Sequence, residues 1–178
     1  MDEKEKQLIK GIKSGKEDAI RKMINKYGER LMQYINSIIN DVETSKDIFQ
    51  ITWIKVMERI DTFDEKMPFS PWLFRIARNC AYDFLKRESR KVSLEANRGV
   101  IPCSMEKFTQ NIENEELIKK IVDKLGEKHR EIIFLRFFEE KSYLEISKIL
   151  NIPEGTVKSR LKRALDEMIK IHQKLSGE

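Results

Sequence analysis

Lys158, Ser159, Arg160, Lys162 and Arg163 stand close together near the C-terminus. Set out at about 100° per residue, Ser159, Lys162 and Arg163 share one side of a helix, with Lys158 and Arg160 flanking them. Val157, Leu161, Ala164, Leu165 and Met168 cluster on the opposite side. The exposed groups are the kind that grip nucleic acid. A guanidinium forks to the acceptors of guanine, and hydroxyls and ammoniums reach phosphate oxygens or base edges. An ordinary solvated helix face has the same composition, so the elements that present these residues matter. Ser142-Tyr143-Leu144-Glu145 has the spacing of a capping box, in which Ser and Glu satisfy each other's free amides. The helix it opens carries Ile146, Ile149 and Leu150 on one face, and Asn151-Ile152-Pro153 interrupts it after about two turns. A new helix follows, with Gly155 and Thr156 in its first turn. Two short helices about a tight turn form a helix-turn-helix, and a basic face on its second helix favours duplex DNA over the solvated-face reading.

A second polar set lies earlier in the chain. The spacing predicts a helix over residues 70 to about 86, with Ser70 at its N-cap, Pro71 behind it, and a core stripe of Leu73, Ile76, Ala77, Cys80 and Phe84. Arg75, Arg78, Asn79, Tyr82 and Lys86 fall opposite that stripe, with Trp72 near its edge. Cations for phosphate, an amide for base edges and a ring for stacking suit single-stranded DNA. Trp72 serves equally well as core packing. In the loop before it, Phe63 and Phe69 either cup an extruded base or anchor the loop to the core.

A further helix reads Phe49, Thr52, Trp53, Val56, Ile60 along its core stripe. Ile51 and Ile54 then project to the other side, beside Asp47 and Glu58. They form either a partner surface or a face covered by another helix of the same domain. Residues 41–65 hold seven acids against three bases, whereas residues 75–98 hold seven bases against three acids. An acidic helix and a basic helix in one domain should face different partners.

The rest of the sequence sets the frame. At 178 residues the chain is long enough for one ordinary domain or two small ones. Helical spacing also runs through Ile20, Ile24, Tyr27, Leu31, Ile35 and Ile38, no stretch alternates as a strand would, and the fold class is all-α. Between about residues 88 and 111 the pattern lapses, and it resumes at Ile112, Leu117, Ile118, Ile121 and Leu125. The expected organisation is a helical domain over 1–90, a flexible linker over 91–111 and a helix-turn-helix domain over 112–178. A net charge of +5 permits a nucleic-acid partner without demanding one. No apolar run reaches the ~18 residues that span a bilayer, and the charged N-terminus does not read as a signal peptide, so no direct membrane insertion and a cytoplasmic location are expected. Cys80 and Cys103 should be reduced thiols, and with His129 and His172 scattered singly there is no metal-ligand spacing. No Gly-rich phosphate loop and no nucleophile with a partner base is visible, so neither an enzyme nor a cofactor or small-molecule substrate is expected.

The motif strings resemble a known family. Leu125-Gly126-Glu127-Lys128-His129-Arg130-Glu131, Phe134-Leu135-Arg136-Phe137, Ser142-Tyr143-Leu144-Glu145-Ile146-Ser147 and Ile152-Pro153-Glu154-Gly155-Thr156-Val157-Lys158-Ser159-Arg160-Leu161-Lys162-Arg163-Ala164 resemble region 4 of the extracytoplasmic-function sigma factors. Tyr27-Gly28-Glu29-Arg30-Leu31, Asp47-Ile48-Phe49-Gln50-Ile51-Thr52-Trp53 and Pro71-Trp72-Leu73-Phe74-Arg75-Ile76-Ala77-Arg78-Asn79 resemble their region 2. The resemblance implies a promoter-specificity subunit of core RNA polymerase, active in an envelope or environmental stress response. It implies that Asp47, Gln50 and Ile51 lie on the polymerase-contacting helix, to which the outward Ile54 is added as a polymerase-binding residue. The melted minus-ten element would meet Phe63, Phe69, Trp72, Arg75, Arg78, Asn79, Tyr82 and Lys86. The duplex minus-thirty-five element would meet Lys158, Ser159, Arg160, Lys162 and Arg163. It further implies an anti-sigma factor as a partner. The sequence departs from the family in Ile51 where an acid is usual, in Gly126 where Pro is usual, and in Ser147 where Ala is usual. The rival readings are an autonomous helix-turn-helix regulator, which the region 2 strings oppose, and a pure interaction protein, which the basic helix opposes.

Overall fold

A computed structural model describes residues 2–91 and 115–176. The described residues are helical throughout, with no strand among them. The N-terminal domain holds α1 (Glu3–Lys13), α2 (Glu17–Ile39), α3 (Val42–Arg59) and α4 (Phe69–Lys91), with a 3₁₀ turn over Ile60–Thr62. The C-terminal domain holds α5 (Glu115–Asp123), α6 (Glu127–Ile133), α7 (Tyr143–Leu150) and α8 (Glu154–Ser176), and a π-helical turn over Phe134–Phe138 extends α6. No helix among the described residues is long and apolar enough to cross a membrane.

Local chemistry explains the sharp corners. Asn40 ends α2 in the left-handed region, with φ 57°, and Asp41 immediately caps α3 by accepting the Thr44 amide at 2.8 Å. Two residues therefore separate two long helices, which must run back to back. α3 buries Ile48, Thr52, Trp53 and Val56, while Phe49 of the expected stripe is only half-buried. From α2, Tyr27, Leu31, Tyr34, Ile35 and Ile38 fill the space between α3 and α4.

α4 differs from expectation at both ends. It begins at Phe69, and Ser70 is not its cap: the Ser70 Oγ is buried and makes no hydrogen bond. Pro71, still in the first turn, needs no amide partner there. At the other end the helix runs five residues past Lys86, to Lys91. Ile112 and the expected linker over 91–111 beyond Lys91 lie outside the described residues, and the next described helix, α5, opens at Glu115.

α4 is also buried on more than the predicted stripe. Leu73, Ile76, Ala77 and Cys80 face the N-terminal core, but Phe74 and Ala81 are fully buried too, on the flank turned toward the C-terminal domain. That flank packs on α7, and α6 packs on α2. The apolar core is consequently continuous from Ile9 through to Ala164. Tyr34 sits at the junction, its ring 4.9 Å from Phe74 and 5.9 Å from Phe134. Sandwiching explains the dense run in α6. Residues 130–135 are all buried, because one side of the helix meets α2 and the other α8.

The α1–α2 corner depends on one glycine. A Cβ on Gly11 would lie 2.7 Å from the Cβ of Ala19. Gly11→Ala should therefore push α1 off α2 and destabilise the fold by about 1–3 kcal/mol, read as a lower midpoint in thermal or urea unfolding.

Candidate nucleic-acid interface

The helix-turn-helix is built as its sequence signals. The Ser142 amide donates to Glu145 Oε2 at 2.9 Å, and the Glu145 amide donates to Ser142 Oγ at 3.2 Å, closing the capping box. Burial disfavours charge on Glu145, yet the hydrogen bonds from Ser142, with Lys141 and Lys148 nearby, outweigh it and hold the carboxyl below its ordinary range. α7 ends at Asn151 in the left-handed region, φ 53°, with its amide on Ser147 O. Pro153 O accepts the amides of Thr156 and Val157 at 2.9 and 3.1 Å, starting α8.

On α8, Val157, Leu161 and Ala164 are buried and Met168 is half-buried. Lys158, Ser159, Lys162 and Arg163 are exposed, and Arg160 is half-buried beside them. Lys158 also lies 5.8 Å from the ring of Tyr143, which steadies it over the start of α7. The Ser159 hydroxyl donates to Thr156 O at 3.1 Å, so its remaining capacity is as an acceptor. Leu165 is not in the core: it is 38% exposed, and Ile169, one turn further along the same side of α8, is 57% exposed. Only the first half of that helix packs against the rest of its domain closely enough to bury its whole stripe.

The second polar set divides. Arg75, Asn79 and Lys86 are exposed on α4. Phe63 and Phe69 are not surface groups. Phe69 is fully buried beneath Tyr27, and Phe63, Phe69 and Trp72 form a triangle of rings with centroids 5.0–5.5 Å apart. Phe63 in the six-residue loop 63–68 and Phe69 at the start of α4 have more apolar area than the loop itself can shelter, and the core under α4 takes them. Trp72, half-buried, is the edge of the triangle that reaches solvent. With Phe63, Met67 and Arg75 it lines a cavity of about 320 Å³, whose far wall includes Lys148 of α7.

Arg78 and Tyr82 point elsewhere. Arg78 Nε donates to Glu131 Oε1 at 3.0 Å and the Tyr82 hydroxyl donates to Glu131 Oε2 at 3.1 Å. The Tyr34 hydroxyl donates to Oε1 at 2.9 Å, and the Arg78 guanidinium stacks 4.5 Å over the Tyr82 ring. Glu131, on α6, is fully buried. Burial pushes its carboxyl up, against the opposing pull of Arg78 and the two phenols. Both phenols are themselves held above the ordinary tyrosine value, first by burial and then by Glu131, so they stay protonated as donors. Beside this cluster Arg30 makes a two-pronged contact with buried Glu139, at 2.9 and 2.7 Å. Glu131, Tyr34, Arg30 and Glu139 were not among the expected site residues. The one sequence signal is Glu131 abutting the apolar run Ile132 to Leu135, where a solvated acid has no place.

On α3 the outward face is open. Asp47 and Gln50 are exposed, and Ile51, Ile54 and Met57 are 43%, 50% and 41% exposed. No helix among the described residues covers them, which decides against the intradomain alternative.

A helix-turn-helix with a basic outer face on one domain and an acidic helix with an apolar ridge on the other give the fold two distinct candidate binding surfaces. Residues 23–91 match the family Sigma-70 region 2, and residues 115–168 match Sigma-70, region 4. The extracytoplasmic-function RNA polymerase sigma factor SigW of Bacillus subtilis is 32% identical over 180 residues, covering 93% of this chain and 95% of SigW. The RNA polymerase sigma-H factor of Pseudomonas aeruginosa is 27% identical over 188 residues, covering 99% of this chain and 97% of that protein. Among solved structures, the sigma factor RpoE of Bartonella quintana, crystallised with the anti-sigma factor NepR, has a TM-score of 0.69 at 22% identity, covering 85% of this chain and 94% of that one. CnrH, in complex with the cytosolic domain of CnrY, has a TM-score of 0.67 at 22% identity, covering 92% and 94%. The chain belongs to the extracytoplasmic-function sigma factors of RNA polymerase, which are initiation factors and not enzymes.

Ser142→Ala should remove the hydroxyl arm of the capping box, keep the residue 142 amide on Glu145 and cost about 1 kcal/mol of stability, while leaving the far face of α8 chemically intact. Calorimetry on the full chain measures the loss.

Proposed function

We propose that this chain binds core RNA polymerase and directs promoter-specific initiation, in a response to envelope or environmental stress. The observation that carries the reading is the order of two different working surfaces on one chain: an apolar-acidic ridge on α3, then a capped helix-turn-helix with a basic outer face. Residues 1–90 are the polymerase-binding and minus-ten-binding domain, and residues 112–178 the minus-thirty-five-binding domain, with residues 91–111 joining them.

The division of labour follows from the chemistry of each surface. Asp47, Gln50, Ile51 and Ile54 present carboxylate, amide and two apolar side chains to a protein surface bearing cations around an apolar groove. Ile51, where the family usually has an acid, shifts this contact toward apolar burial. Lys158, Ser159, Arg160, Lys162 and Arg163 read the minus-thirty-five duplex through phosphates and base edges. Arg75, Arg78, Asn79, Tyr82 and Lys86, with the Trp72 edge of the cavity, take the melted minus-ten strand, while Phe63 and Phe69 act from behind as supports of that wall. The chain works in the cytoplasm, where polymerase and chromosomal DNA are. Because two solved relatives of this fold are bound to an anti-sigma factor or to the cytosolic domain of another protein, an anti-sigma factor is the expected negative partner.

Mixed with core polymerase and run-off templates, the chain should start transcription at discrete sites. Discrete binding to duplex DNA by the chain alone, without initiation, would instead identify an autonomous regulator. Arg163→Ala should reduce initiation at minus-thirty-five-dependent promoters by about 1–3 kcal/mol in apparent promoter affinity. Ile54→Glu should weaken core binding in competition with the unaltered chain, leaving duplex binding by the helix-turn-helix unchanged.

A further inference from the structure

The loop between the 3₁₀ turn and α4 is held at its crest by a helix outside it. Phe63 and Phe69 bury its two ends, and of residues 64–68 between them all but Glu65 are exposed. Two hydrogen bonds fold the loop on itself: Asp64 Oδ1 accepts the Lys66 amide and Asp64 O accepts the Met67 amide, each at 2.9 Å. These give the loop a shape without fixing its place. Asp64, Met67 and Pro68 line the cavity beside Trp72. Glu65, between them in sequence, reaches α1 instead, where Lys13 Nζ donates to its Oε1 at 2.9 Å. The Lys13 hydrogen bond outweighs burial and, with the charges of Lys13, Lys10 and Lys6, holds the Glu65 carboxyl below its ordinary range. Lys13 is the last residue of α1, a helix anchored by buried Ile9 and Ile12 and packed on the 3₁₀ turn that leads into the loop. α1 lies ahead of region 2 and carries none of the residues assigned to DNA or polymerase.

We propose that Lys13 is a positioning residue for minus-ten recognition: through Glu65 it fixes where Asp64, Met67 and Pro68 stand, and so the shape of the cavity that takes a base of the melted strand. The proposal rests on the reading of the Trp72 cavity as part of the melted-strand site. Both side chains of the pair are partly exposed, 25% and 35%, and an ion pair in that setting contributes little to the stability of the whole fold. Its effect is local. Anchored at both ends by rings, the loop stays folded without the tie. Its crest then samples several positions, and the cavity holds the productive shape for only a fraction of the time. Apparent affinity for the strand falls by that fraction.

The test uses the full chain with core polymerase, on run-off templates from which the unaltered chain starts. In copies of each template, bases of the melted strand are replaced one at a time by abasic sites. With the unaltered chain, loss of the captured base should lower initiation about tenfold. Lys13→Glu should lower initiation on the intact template about fivefold and shrink the abasic penalty at that one position, leaving the penalties elsewhere as they were. Lys13→Arg should behave as the unaltered chain, and Lys13→Glu combined with Glu65→Lys should restore both readings. Urea unfolding checks the fold. If Lys13→Glu shifts the midpoint, Glu65→Gln, on the loop itself, decides in its place. Initiation unchanged in the single variants would overturn the proposal. So would a loss with every abasic penalty intact, or a charge exchange that restores nothing. An unaltered chain that does not initiate, or is indifferent to every abasic site, would refute the melted-strand reading and the recognition role with it. A penalty present in the unaltered chain and unmoved by the variants would overturn Lys13 alone.

Discussion

A carboxylate with no access to water must find donors inside the protein, and Glu131 finds all of its donors in the other domain. Much of the molecule is arranged around that requirement. α6 must lie with its acid-bearing side toward α2 and α4, which fixes Tyr34 at the junction of the two cores. Tyr34 in turn brings Phe74 and Phe134 within ring contact, so that two helical domains share one apolar interior. The helix-turn-helix follows as a passenger: α8 is packed on α6, and α7 rests on α4. Its basic face is then left on the outside by elimination.

How much of this was legible depends on whether a residue's role is set locally. The capping box, the left-handed Asn151 and the start of α8 at Pro153 are local devices, each spanning a few residues, and they stand where Ser142, Glu145 and Pro153 imply. The exposure of Ile51 and Ile54 was legible as an outward projection, though not whether another helix covered it. Phe63 and Phe69 were not legible in the same way, because an aromatic in a loop carries no mark of whether it turns in or out. They turn in because α1 to α4 leave a space under the loop that only large rings fill.

α4 is the instructive failure of a helical wheel. A wheel assumes one core per helix, and it put Arg78 and Tyr82 with the solvated residues. α4 serves two cores, so Phe74 and Ala81 form a second stripe turned about a quarter of a revolution from the first. Arg78 and Tyr82 follow that stripe, not the solvent. Ser70 failed for a related reason. With Phe69 drawn into the ring triangle, the helix starts one residue earlier and the hydroxyl is carried into the interior.

The Glu131 contact joins two parts of one polypeptide, and this sets how its grip scales. A separate partner holds its target in proportion to how much of it is present, so dilution or titration frees the target. Here the two halves are covalently tethered, and each meets the other at an effective concentration fixed by the tether, at whatever level the cell makes the chain. Producing more protein would raise the number of closed molecules and the number of open ones in equal ratio. Whatever parts the two halves must therefore overcome the same fixed increment of free energy in every molecule, a threshold that is a property of the sequence and independent of dose.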